Sequence, residues 1–125
     1  MLRLLLDEHI SPAVAAGVRR RRNSPAVICL AEWEKGSYLG QPDAVWLQAA
    51  AAQRLTLVTY DRRSIPPLLK AWVEAGRHHA GVIFVDDKTI APSDIGGLVK
   101  ALAHLSRKTA NWNWTNRVIS LTRTA

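Results

Sequence analysis

The sequence has a single cysteine, Cys29, so no disulfide can form within the chain. Flanked by Val27, Ile28 and Leu30, that thiol reads as a small buried hydrophobe rather than a redox group. No apolar run approaches the roughly 20 residues that cross a bilayer, which excludes a membrane-spanning helix. The short stretch Leu4-Leu5-Leu6 meets Asp7 and Glu8 too soon to form a signal-peptide core, and the chain is expected in the cytoplasm. Glycine builds neither a GxGxxG fingerprint nor a phosphate-binding P-loop. Its nearest cluster, Gly96-Gly97, falls inside a predicted helix and reads as close packing, so no nucleotide cofactor is indicated. His9, His78, His79 and His104 share no ligand spacing with one another or with Cys29, which leaves zinc without support. His78-His79 reads as a polar turn ahead of Gly81. With no internal repeat and no massed Pro/Gly linker, residues 1–125 form one predicted domain.

Acid is the scarcer charge, 10 Asp and Glu against 17 Lys and Arg, and the surplus of +7 favours polyanionic partners such as nucleic acid. The densest basic block, Arg19 to Arg22, ends a predicted helix, where the helix dipole favours cations; it also offers a phosphate-binding patch.

Short, nearly continuous apolar runs recur at Leu2 to Leu6, Val27 to Ala31, Leu55 to Thr59, Val82 to Val85 and Val118 to Leu121, the pattern of strands covered on both faces. Helical segments lie between them. Ser11-Pro12 supplies a cap and a first-turn proline before Val14 and Val18, and Pro42-Asp43 opens the alanine-rich stretch from Ala44 to Gln53. Two more helices are predicted, over Ser64 to Ala75 and from Pro92 to Arg107, the latter with Leu98, Leu102 and Leu105 at helical spacing. Strand alternating with helix predicts a three-layer α/β/α sandwich around a central, mostly parallel five-stranded sheet. In such sheets the functional site gathers at the carboxyl ends of the strands.

That rule selects the acids. Asp7 and Glu8 follow the first strand, Asp61 follows the third, and Asp43 opens a helix whose amino terminus lies on the same edge. Carboxylates brought together repel, so such a cluster either raises a pKa or binds a hard cation such as Mg²⁺ or Mn²⁺. Each acid also has a plainer role: Asp43 as a helix cap, Asp61 as a turn residue before Arg62 and Arg63, and Glu8 as an ion-pair neighbour of Arg3. Five tryptophans are many for this length, and core packing is the default for each. Trp112 and Trp114 beside Arg117 could instead stack on bases.

In order and spacing, Leu4-Leu5-Leu6-Asp7-Glu8-His9, then Pro42-Asp43, then Leu57-Val58-Thr59-Tyr60-Asp61 resemble the PIN-like nuclease superfamily, in particular its small stand-alone bacterial members with toxin-like character. Ile65-Pro66-Pro67-Leu68-Leu69, Gly81-Val82-Ile83-Phe84-Val85 and Trp114-Thr115-Asn116-Arg117-Val118 extend the resemblance over most of the chain. It implies an α/β/α sandwich whose carboxylates hold Mg²⁺ or Mn²⁺ and hydrolyse single-stranded RNA, with an antitoxin protein and a second copy of the chain as partners. Under it, Asp7, Asp43 and Asp61 match the catalytic and metal-binding acids, with Glu8 a further ligand. Thr59 matches the hydroxyl of the Thr-x-Asp motif, and Arg62 and Arg63 are placed to meet substrate phosphates. The sequence departs from the family where another acid and a Phe are common, since Arg63 and Ser64 stand there, and His9 replaces a frequent Asn. Glu32 and Glu34 are candidates for a missing middle acid, and Trp33 or Trp72 would suit a dimer interface if exposed.

Two other readings compete with the nuclease. A phosphoacceptor receiver domain has a similar acid pattern, but it needs a lysine beyond the fifth strand, and Leu121 to Ala125 contains none. A catalytically silent binding protein, acting through a protein partner over the acidic edge, fits the missing ligand positions.

Overall fold

The computed structural model describes residues 2–124. Five parallel strands, β1 (Arg3–Leu6), β2 (Ala26–Cys29), β3 (Thr56–Thr59), β4 (Val82–Phe84) and β5 (Val118–Ser120), form one sheet in the order β2-β1-β3-β4-β5. All neighbours are parallel. Four helices connect them: α1 (Pro12–Arg19), α2 (Asp43–Ala52), α3 (Ile65–Glu74) and α4 (Ile95–Lys108). None is long and apolar enough to cross a membrane.

Alternation along the central strands sends their side chains into two cores. Leu4, Leu6 and Val58 pack with Val14, Val18, Leu98 and Leu102 of α1 and α4, whereas Leu5 and Leu57 pack with Trp46, Leu47, Leu69 and Trp72 of α2 and α3. The expected α/β/α sandwich is thus present, with α1 and α4 on one face and α2 and α3 on the other. Close approach of α1 to α4 depends on Gly17, where a methyl group would stand 2.6 Å from Val99 Cγ2.

Local signals explain the helix starts. The Ser11 side chain accepts from the Ala13 N–H ahead of α1, with Pro12 in the first turn, and Asp94 accepts from the Gly97 N–H to start α4. This last bond corrects the reading of Gly96-Gly97 as a packing site. Gly96 meets nothing, and Gly97 leaves room for the capping Asp94 carboxylate. Pro42, not Asp43, occupies the cap position of α2, and Asp43 is its first residue.

Burial overturns three further expectations, and a hydrogen bond overturns a fourth. Trp33 and Trp72 are 3% and 4% exposed, because both fill the α2/α3 core, so neither forms an outward interface. β5 is not a covered strand; it closes the sheet at one side, and Val118 is 49% exposed. His79 is buried rather than a surface turn, with its Nδ1 accepting from the Gly81 N–H. Arg3 does not pair with Glu8, which stands at the far end of β1, but donates to the Gln53 carbonyl.

At the other side of the sheet, the outer edge of β2 is covered by an ion pair. Glu32 accepts from the Cys29 N–H, Arg19 donates to the Val27 carbonyl at 2.7 Å, and the two side chains bond each other. Backbone groups that would otherwise invite another strand are occupied.

Candidate metal centre at the carboxyl edge

In a doubly wound sheet of this order, connections leave β1 and β3 in opposite directions, and a crevice opens between their carboxyl ends. Asp7 and Asp61 stand there. Asp7 is 6% exposed although it is an acid, and its N–H continues the strand ladder to the Val58 carbonyl at 3.1 Å. Thr59, fully buried at the end of β3, donates its hydroxyl to Asp7 Oδ2 at 2.5 Å and accepts the Asp61 N–H at 3.0 Å. One hydroxyl therefore orients both acids.

Asp61 Oδ1 accepts the N–H groups of Arg63 and Ser64, at 2.9 and 2.8 Å, in the turn that opens α3. Burial pushes its pKa up, but those N–H groups and nearby His9 outweigh burial and hold it below the ordinary carboxylate value. The plainer turn role expected for Asp61 is real, and it leaves the second carboxylate oxygen outside these bonds.

Asp43 behaves in the opposite way. Burial raises its pKa first, followed by the charges of Asp61, Asp7 and Glu8. The charges of three acids from two other stretches of chain thus reach Asp43 at one place. Asp7, Glu8 and His9 each offer a ligand atom within 4.8 Å of the others, Asp7 buried and the other two exposed. Carboxylates with one imidazole suit a hard or borderline divalent cation, and the raised Asp43 carboxyl marks negative charge that such a cation would balance.

Among the sequence candidates, Arg62 and Arg63 are exposed beside Asp61 and do not pair with the acids. The ion pairs among the described residues are Arg19–Glu32 and Arg123–Asp94. Neither Glu32 nor Glu34 joins the cluster: Glu32 is held by Arg19, and Glu34 lines a groove with Arg3, Gln53 and Leu55 at the opposite edge. His9 enters through its place beside Asp7, although histidine spacing gave no sign of it. Asp86 and Asp87, which follow the β4 run, stand one strand further along the same edge, and the rule that selected Asp7 selects them too. Asp86 accepts the Lys88 N–H in a turn. Asp87 lies close enough to Tyr60 to help burial, the larger cause, push that phenol up to about 12.

Arg3, Arg54, Arg77, Arg107 and Arg117 all lie where helices end or strands begin, at the amino edge. Two of these stack on indoles, Arg77 over Trp72 at 4.2 Å and Arg117 over Trp112 at 4.3 Å.

A family model described as a PIN like domain matches residues 2–87, a span that contains Asp7, Glu8, Asp43, Thr59, Asp61, Arg62 and Arg63. No curated protein and no solved structure matches the chain.

Proposed function

Since this chain belongs to the PIN-like domain family, we propose that it is a divalent-metal-dependent nuclease that hydrolyses phosphodiester bonds of single-stranded RNA at its acidic edge. The observation that carries this reading is the placement of the Asp7, Glu8 and His9 ligand atoms within 4.8 Å of one another, at an edge where Asp43, its carboxyl raised first by burial and then by the charges of Asp61, Asp7 and Glu8, adds a further acid. A fold that gathers like charge from separate segments is balanced by a cation. Asp7, Glu8 and His9 would hold Mg²⁺ or Mn²⁺, with Asp43 and Asp61 adding charge around it. When bound, such a cation supplies Lewis acidity and a more acidic water at the phosphodiester.

The chain's own residues do the rest. Thr59 holds Asp7 in one orientation, so little reorganisation is needed when ligands assemble. Arg62 and Arg63 bring positive charge to the rim, where they meet the phosphates flanking the scissile bond. In this reading the chain acts as the toxin of a pair, and an antitoxin protein covers the acidic edge. A second reading, a silent binding protein, draws support from Asp61, whose Oδ1 is already engaged by two backbone N–H groups.

Cleavage of mixed single-stranded RNA and DNA with Mn²⁺, Mg²⁺ or chelator separates the two. The nuclease reading expects metal-dependent cleavage that Asp7→Asn and Asp61→Asn abolish. Asp61→Asn keeps an Oδ1 acceptor for Arg63 and Ser64, so folding is expected to survive. Folded protein that neither cleaves nor binds Mn²⁺ would leave the silent reading.

A further inference from the structure

A cavity lies at the amino edge, across the sheet from the acids. It is a cleft of about 600 Å³ walled by Arg54, His78, Trp112, Asn113 and Thr115, with Thr56, His79 and Trp114 beneath, and no acid lines it. The volume is in the range of small-molecule sites and far exceeds what a lone phosphate fills.

The walls are held in place. Asn116 accepts the His79 N–H at 3.0 Å, donates its own N–H to the His79 carbonyl at 2.9 Å, and meets His78 Nδ1 at 2.6 Å. Gly81 lets the Trp114 segment approach, because a methyl group there would stand 2.9 Å from the Trp114 carbonyl oxygen and ring. His79 Nδ1 accepts the Gly81 N–H, which leaves Nε2–H as the remaining donor of the neutral ring.

Arg54 is the unusual residue. The Leu55 N–H bonds to the Ala50 carbonyl and the Arg54 N–H to the Ala51 carbonyl, which is the glycine-ended closure of a helix, with Arg54 at the glycine position and a φ of +57°. A bulky cation thus occupies a backbone conformation that disfavours it. Among the described residues its guanidinium makes no hydrogen bond or ion pair, although it lines the cleft.

We propose that this cleft is a second ligand site, for a nucleotide, with its phosphate on Arg54, its base against Trp112, and His79 and Asn113 bonding its polar edge. A guanidinium without a partner, a wall without acids and an aromatic side chain together select an anionic ligand that carries a flat ring. The same chemistry comes from a free mononucleotide or from one residue of an RNA strand.

Binding measured by calorimetry in chelator tests this separately from cleavage, with AMP, inorganic phosphate and a 2′-O-methyl oligonucleotide as probes. AMP or the oligonucleotide is expected to bind more tightly than phosphate, and Asp7→Asn is expected to bind as the parent does. A tighter oligonucleotide identifies a strand as the natural ligand, and an equal or tighter AMP identifies a free nucleotide. Arg54→Gln should weaken binding about tenfold or more, the loss of one charge-assisted hydrogen bond. Arg54→Gly should raise Tm and still weaken binding, a combination that a merely structural Arg54 would not produce. No binding tighter than about 1 mM overturns the proposal. So does phosphate binding as tightly as AMP, or affinity unchanged in both Arg54 variants.

Discussion

Thr59 and Asp7 sit on neighbouring parallel strands, and the Thr59 hydroxyl donates to the Asp7 carboxylate at 2.5 Å in a place that water scarcely reaches. The same hydroxyl accepts the Asp61 N–H, so one side chain couples the ends of β1 and β3. Thr59→Val keeps the shape and removes the hydroxyl, which strands a buried carboxylate oxygen and an N–H. It is expected to cost about 1–3 kcal/mol by urea denaturation. Thr59→Ser should restore most of the loss, and a harmless valine would refute the coupling.

Asp43 titrates with the opposite sign to an ordinary paired acid. Its folded pKa lies above 3.8, so its contribution to stability is fully present below that value and is lost as pH rises through the folded pKa. Asp43→Asn should therefore raise Tm near neutral pH in chelator. Added Mn²⁺ should stabilise the parent more than the variant, as seen by thermal shift. A variant less stable than the parent in chelator would show that Asp43 is not strained by its neighbours.

His79 gives a second pH dependence. Burial, helped by His78, lowers its pKa below 6.5, so its contribution is present above 6.5 and is lost as pH falls through the folded value. Urea denaturation between about pH 7.5 and 5 should show stability declining with acid, and His79→Gln should flatten that slope. An unchanged slope would assign it to another group.

At the α1–α4 contact, Gly17→Ala gains up to about 1 kcal/mol of helix propensity. It also forces a methyl group against Val99, where overpacking costs about 1–3 kcal/mol. Net destabilisation is expected. Val99→Ala should relieve the clash, so a double-mutant cycle should yield favourable coupling between the two changes. Additive effects would mean that the helices already have room.

Much of the fold was legible in the chain because its signals are local. Unbroken apolar runs such as Leu4-Leu5-Leu6 belong to strands buried on both faces, and Ser11-Pro12 starts a helix whatever surrounds it. Alternation of strand and helix then required a parallel sheet, and a parallel sheet puts Asp7, Asp61 and the start of α2 on one edge. What the sequence could not carry depends on distance through space. Only the strand order decided that β1 and β3 are neighbours, so that Thr59 reaches Asp7 over a separation of 52 residues. Only packing turned Trp33 and Trp72 inward and drew Glu32 to Arg19 rather than to the acids. The cleft around Arg54 assembles from the ends of three segments, and its left-handed arginine carries no mark in the sequence. Propensity and periodicity act between near neighbours in the chain, whereas repulsion among Asp7, Asp43 and Asp61 exists only once the fold has brought them together.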